Sequence, residues 1–238
     1  MSISFNFISF ITMKSIIITG CSEWLGYELS KLYIEKWYQV IGISRKKPDI
    51  DIVHVAIDLT NEESISDSTT YIVNNFPTID LFINCAGIGD IQKIQEITIE
   101  NIETMMKVNL LWAMSLYAKL RELFIQSATD LCFIWATIWL KANEYMPAYS
   151  VSKWWLRGRI ENVRHDLKSW ANKVIAFHPG GLDTLSNIWA WWRDHVISSI
   201  TSKASSTMLS THELAKYIIY TLDLPKNMEV SEIIVNRK

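Results

Sequence analysis

The chain is short of several things, and each shortage removes a class of answers. Of its 238 residues only three are cysteine, at Cys21, Cys85 and Cys132. They stand far apart, which excludes a disulfide framework and a zinc-type cluster and fits a reducing, cytoplasmic setting. The five histidines show no metal-ligand spacing, so no metal is expected. Net charge is only −2, which argues against a nucleic-acid partner. The apolar start, residues 1–12, lacks a basic leader and is too short to span a bilayer, so it reads as a loosely docked extension and no membrane partner is expected. Glycine is scarce, with 8 residues against 11 tryptophans.

What is present is a regular alternation. Ser15 to Thr19 is a short β-branched run of the kind that forms a fully buried strand. Helical spacing follows over 24–37, with further strands at 40–44, 52–57, 81–84, 131–136, 173–178 and 231–235. Helical patterns occupy 61–76, 98–125, 148–170 and 211–222. Strand and helix in alternation imply βαβ units around a parallel sheet buried on both faces. The expected fold is α/β: one doubly wound, Rossmann-type domain over 13–238, with about seven strands. No repeat, low-complexity tract or linker marks a second domain. The stretch 184–208, rich in Trp and Ser, reads either as an active-site lid or as a helical insertion packed on the surface.

Four short motifs fall where this fold gathers its strand ends. Thr19-Gly20-Cys21-Ser22-Glu23-Trp24-Leu25-Gly26 follows the first strand and opens the first helix, the place where a dinucleotide pyrophosphate meets a helix N-terminus. Asn84-Cys85-Ala86-Gly87 follows the fourth strand. Tyr149-Ser150-Val151-Ser152-Lys153 lies in a helical pattern, where a spacing of four puts phenol and ammonium on one face. A lysine so placed is expected to lower the tyrosine's pKa and suit it to proton exchange near neutrality. Pro179-Gly180-Gly181-Leu182-Asp183-Thr184 follows the sixth strand. Singly, each also has a plain structural reading as a turn, a packing glycine or a solvated helix face.

Together and in this order, from about Lys14 to the last residue, the motifs resemble the short-chain dehydrogenase/reductase family. The resemblance implies an oxidoreductase that moves hydride between a nicotinamide cofactor and a small-molecule carbonyl or secondary alcohol. Tyr149 would exchange the proton, Lys153 would hold the nicotinamide ribose, and Asn109 would bind a water that passes the proton on. Gly20, Ser22, Leu25 and Gly26 would lie along the pyrophosphate, Asp58 and Leu59 at the adenine, and Asn84, Ala86 and Gly87 beside the cofactor. Pro179, Gly180 and Thr184 would approach the carboxamide. At the end of the second strand, Ser44 stands where an acidic residue would bind the NAD ribose, and Arg45 follows it. A guanidinium there suits a 2′-phosphate, so NADP is favoured over NAD. Relatives commonly pair through the helices that correspond to 98–125 and 148–170, so a homodimer or homotetramer is expected. Trp112, Trp154 and Trp155 on those helices would serve an interface or internal packing.

Two departures stand out. Trp24 occupies the place of the middle glycine of the phosphate turn, where an indole either swings outward or fills the cofactor's space. The family's carbonyl-polarising serine falls on Ala136, which has no hydroxyl; Thr137 supplies one if the following loop is a residue shorter. Loss of such a donor costs about 10²–10³ in rate at comparable sites, so a catalytically weak nucleotide-binding or interaction protein is the alternative. A methyltransferase on a similar sheet would not explain Tyr149 with Lys153 and Asn109. Trp24, Trp112, Trp135, Trp139, Trp154 and Trp155 all stand where relatives carry small residues.

Overall fold

The computed structural model describes residues 13–90, 92–140, 145–167, 172–182 and 209–236. One seven-stranded, all-parallel sheet organises them: β1 (Ser15–Thr19), β2 (Gln39–Ser44), β3 (Val53–Ala56), β4 (Leu81–Asn84), β5 (Asp130–Ile134), β6 (Val174–Pro179) and β7 (Glu232–Val235). Their order across the sheet is β3-β2-β1-β4-β5-β6-β7. The chain therefore winds one way from β1 to β3 and the other way from β4 to β7. The reversal lies between β1 and β4, and a crevice at such a switch point is where open α/β sheets hold ligands.

The alternation of the strands sorts their side chains between two cores. On one face Ile17, Ile41, Phe82 and Phe133 pack against α2 (Glu62–Asn75), α4 (Trp112–Gln126) and α5 (Pro147–Asp166), through Ile72, Leu116, Phe124, Leu156 and Ile160. On the other, Ile16, Ile18, Ile83 and Cys132 pack against α1 (Trp24–Glu35) and α6 (Thr211–Leu222), through Leu25, Leu29, Leu214 and Ile218. Every residue of β1 is buried, as expected for the strand with two neighbours and a helix layer on each side.

Most expected elements are found within two or three residues. The long helix expected over 98–125 is α3 (Ile99–Met106) and α4 joined by a π-helical turn, Lys107–Leu111, which carries Asn109. Such turns insert one residue into the helical ladder and are frequent at functional sites. β5 stops at Ile134, two residues early, although Trp135 N–H still donates to Phe177 O at 2.8 Å. No described helix is long and apolar enough to cross a membrane. The expected lid and the N-terminal extension lie outside the described residues.

Candidate active site

The carboxyl ends of β1 and β4 are tied by one hydroxyl. Thr19 Oγ1 donates to Asn84 Oδ1 at 3.2 Å and accepts the N–H groups of Cys85 and Ala86, each at 3.0 Å. Thr19 is fully buried, so this cluster fixes where the chain leaves β4. Opposite it, Gly20 adopts φ 74°. A Cβ there would lie 2.9 Å from Ala86 Cα, so the two strand-end turns are in contact through hydrogen alone. Gly26, in the first turn of α1, is still more confined: a Cβ would fall 2.2 Å from Gly20 O. Helix and turn pack backbone to backbone.

Trp24, between these glycines, has φ 52° and an indole that is 42% exposed. The indole swings outward and does not enter the core. Leu25 points into the core, so its place in the turn leaves only its backbone for a ligand. Ser22 lies half-buried in the same turn.

At the end of β2, Ser44 is buried and its hydroxyl is engaged: it donates to Lys46 O at 2.7 Å and lies 3.1 Å from His54 Nε2. Ser44 therefore shapes the loop, while the exposed Arg45 is the residue available to a ligand. Asp58 stands close enough for the Arg45 charge to help hold its carboxyl below the usual range. Two hydrogen bonds from Thr60, backbone and hydroxyl, are the larger causes. Leu59 packs against the core.

The second half of the site is a chain of side-chain bonds. Asn109 Nδ2 donates to Ile88 O at 2.9 Å and to Ser152 Oγ at 3.0 Å, and its Oδ1 accepts Ile88 N–H at 2.8 Å. Ser152 in turn donates to Tyr149 O at 2.8 Å. The loop after β4, the π-helical turn and the start of α5 are thus locked together. Both Nδ2 and Oδ1 of Asn109 are thus engaged in this bracing.

Lys153 extends into the space that the bracing leaves. Its Nζ lies 5.4 Å from the centroid of the Tyr149 ring. A Cβ on Gly87 would sit 3.2 Å from both Lys153 Nζ and Asn109 Oδ1, so a side chain at position 87 would fill the pocket floor. Lys153 is 5% exposed, and no carboxylate or hydrogen-bond acceptor meets its ammonium among the described residues. Burial lowers its pKa to about 8. The Tyr149 phenol is pushed up by burial, opposite to the expectation that Lys153 lowers it. Desolvation of the phenolate outweighs a cation that stands over the ring. Burial likewise pushes the neighbouring Cys85 thiol up to about 12, which leaves it a neutral packing residue.

A lysine whose side chain is buried but whose ammonium has no described hydrogen-bond partner, beside Gly87 and near a glycine turn at a helix N-terminus, fits a polyhydroxylated, phosphorylated ligand such as a nicotinamide dinucleotide. Thr137 opens a 3-10 turn, Thr137–Leu140, just after β5 and Ala136. Because the strand has already ended, alternation along β5 no longer assigns Thr137 to the far face. Pro179 ends β6, and Gly180 N–H donates to Val235 O at 2.7 Å. Thr184 lies outside the described residues. No group of His, Cys, Asp and Glu suited to a metal occurs among the described residues.

Sequence reasoning missed Thr19 and Ser152 as bracing residues. Both lie inside the motifs, but nothing in a linear spacing says which neighbour a hydroxyl will bond. Of the tryptophans, Trp112 and Trp135 are buried and Trp154 and Trp155 exposed. Trp112 therefore lies inside the chain's own core, and the side chain of Trp139 is outside the described set.

The sequence pattern of the short chain dehydrogenase family matches residues 14–191. An uncharacterized oxidoreductase of Staphylococcus aureus is 23% identical over 236 residues, covering 94% of this chain and 97% of its own. One from Schizosaccharomyces pombe is 26% identical over 195 residues, covering 77% of this chain and 66% of its own. Among solved structures, an alcohol dehydrogenase of the archaeon Thermococcus sibiricus complexed with 5-hydroxy-NADP superposes with a TM-score of 0.80 at 18% identity, over 94% of this chain and 97% of that one. A 4-hydroxyisoleucine dehydrogenase complexed with NADH gives 0.81 at 23% identity with the same coverage. At those identities the two structures speak for the fold. With the family pattern matched across most of the chain on a doubly wound sheet, this protein belongs to the short chain dehydrogenase family and is an NAD(P)-dependent oxidoreductase by that membership.

Proposed function

We propose that the chain is an NADP-dependent oxidoreductase acting on a carbonyl or secondary alcohol of a small molecule. The observation that carries this is the buried Lys153, its ammonium unmatched by any described carboxylate and set between the Tyr149 ring and Gly87. When bound, the nicotinamide supplies or takes up the hydride. The chain's own residues do the rest. Lys153 holds ribose hydroxyls, and Tyr149 donates its proton to the substrate oxygen. A phenol pushed up by burial is protonated at neutral pH and so holds the proton it donates. Asn109 keeps Ile88 and Tyr149 in register. Gly20, Ser22, Gly26 and the Leu25 backbone line the pyrophosphate, with Asn84 and Ala86 beside the cofactor and Pro179 and Gly180 near its carboxamide. Asp58 and Leu59 border the adenine.

The NADP preference rests on Arg45, exposed at the end of β2 with Asp58 near it. Solved relatives carry either an NADP derivative or NADH, so the fold alone does not choose. A titration with NADPH and NADH, followed by a carbonyl screen, tests the reading; equal affinities or tighter NADH would overturn the preference.

Ala136 favours a second reading, a catalytically weak nucleotide-binding member. Two substitutions separate the cases. If Thr137 polarises the substrate, Thr137→Ala abolishes turnover and Ala136→Ser changes little. If the position is truly vacant of a hydroxyl, Ala136→Ser raises a low rate. No turnover in either variant, with NADPH still bound, favours the binding role. We further propose a single domain from residue 13, a cytoplasmic location and a homodimer or homotetramer that pairs through the helices at 98–125 and 148–170. Met114, Val151, Trp154 and Trp155 leave an exposed apolar strip there. A monomer in sedimentation at micromolar concentration would remove the dimer.

A further inference from the structure

Among the described residues, three that are not glycine adopt left-handed backbone: Trp24 at φ 52°, Trp37 at 61° and Ala128 at 50°. For an L residue the Cβ then crowds the following carbonyl, and a bulky side chain is a true outlier there. Asn and Asp are tolerated because their side chains bond back to the local backbone; an indole offers no such bond. Tryptophan makes up about one residue in twenty of this chain, yet it holds two of these three positions.

Trp37 shows the misfit most plainly. It follows the last turn of α1, where its N–H donates to Ile34 O at 2.9 Å and the Tyr38 N–H to Tyr33 O at 3.0 Å. This pair of bonds closes a helix through one left-handed residue, and that residue is usually glycine. The Trp37 side chain is 82% exposed, so packing returns nothing for the strain. Trp24 repeats the pattern at the other end of the same helix, with its indole turned into solvent. Trp112 misfits in another way. It is 2% exposed, and its Nε1 donor has no partner among the described residues. A buried indole N–H normally finds an acceptor.

Composition points the same way. An average glycine share of about 7% would give this chain roughly 17 glycines. It has 8, and adding its 11 tryptophans slightly overfills the shortfall. UGA differs from the tryptophan codon UGG at the third base and from the glycine codon GGA at the first, and its reading varies between organisms.

We propose that positions 24, 37 and 112 are encoded by UGA and that the cell of origin reads UGA as glycine, so that the working enzyme carries glycine at all three. Strain at two left-handed tryptophans, a helix-ending position without its glycine and an unpartnered indole then have one cause. The consequence for the site is direct. With glycine at 24, the turn between Gly20 and Gly26 carries no side chain at its left-handed position, and its N–H groups at the start of α1 open to a phosphate. This goes beyond the oxidoreductase reading and stands or falls without it.

The gene's codons give the first test: UGA is expected at 24, 37 and 112, and UGG at 24 or 37 would overturn the proposal. The second is tandem mass spectrometry of the protein isolated from its own cell. Trypsin, cutting after Lys36, is expected to release a peptide that begins Gly-Tyr-Gln; one that begins Trp-Tyr-Gln would overturn it. The third compares the full chain with its Trp24→Gly/Trp37→Gly variant, both made where UGG encodes tryptophan. The variant is expected to melt several degrees higher and to bind NADP⁺ at least tenfold more tightly. A lower melting temperature would remove the structural basis of the proposal. A higher melting temperature without NADP⁺ binding would keep it and count against the cofactor reading instead.

Discussion

The two sides of the crevice between β1 and β4 are built by different means. On the catalytic side the geometry is held by side chains: Asn109 grips both backbone groups of Ile88, bonds Ser152, and through it the Tyr149 carbonyl. On the nucleotide side it is held by backbone shape, with Gly20 at φ 74° and Gly26 so close that no Cβ fits against Gly20 O. The first kind of construction is specified by which polar atoms are present. The second is specified by what is absent, and a single β-carbon disturbs it. Tyr149, Lys153 and Asn109 are all present on the catalytic side, while the phosphate turn shows its departure at a left-handed residue, Trp24.

Breaking each side separately should give distinguishable results. The largest effect is expected from Tyr149→Phe, which removes the exchangeable proton and should lower kcat by about 10²–10⁴-fold while leaving NADPH affinity unchanged. Stopped-flow turnover beside a binding titration checks both halves, and undiminished turnover would defeat the enzymatic reading. Next is Gly26→Ala. Its methyl would meet Gly20 O at 2.2 Å, so the turn has to shift. A loss of about 3 kcal/mol in unfolding free energy is expected, typical of overpacking, with dinucleotide binding lost in proportion.

Lys153→Met probes the buried charge through pH. The lysine's ordinary value is 10.5 and burial brings it to about 8 in the folded chain. Below pH 8 both states are protonated and the folded one bears the cost of a buried ammonium. Between the two values the folded chain sheds the proton first, so stability should rise with pH through that window. The rise should be no more than roughly 3 kcal/mol at 1.36 kcal/mol per unit. Denaturant titrations from pH 7 to 10.5 should show the parent chain gaining on the variant through that window, because the thiols and phenols raised by burial, Cys85 among them, titrate alike in both.

Asn109→Ala should cost about 2 kcal/mol, because it leaves the half-buried Ile88 N–H and carbonyl without their partner. Its signature is a raised KM along with a lowered kcat, since it loosens both the pocket floor and the Tyr149 helix. The smallest effect is expected on the nucleotide side, at Arg45→Asp. NADPH should weaken by about tenfold, the cost of one exposed charge-assisted contact, with NADH little changed. Equal changes for both would remove Arg45 from the 2′-phosphate.

Much of this was legible without coordinates. The strand patterns at 15–19 and 81–84 coincide with β1 and β4, because fully buried strands must read as unbroken apolar runs. Tyr149 and Lys153 share a helix face, as their spacing requires. What failed was the tyrosine's pKa. Sequence shows that a lysine is near; it does not show that burial costs the phenolate more than the lysine returns. The extent of β5 failed similarly, since Trp135 and Ala136 continue the apolar run after the ladder has ended.

By itself, the sequence determined the order of strands and helices, the motifs at four strand ends and the family they belong to, because hydrophobic period and local spacing are properties of the chain. Only the tertiary structure decided that Thr19 ties β1 to the loop after β4, that Asn109 is consumed in bracing, and that Lys153 is buried without a described counter-charge. Those depend on which residues distant in sequence meet, and on how much water is excluded where they do. The left-handed tryptophans belong to both levels. Their number is written in the sequence, but that two of them stand where the backbone requires glycine is visible only once the chain is folded.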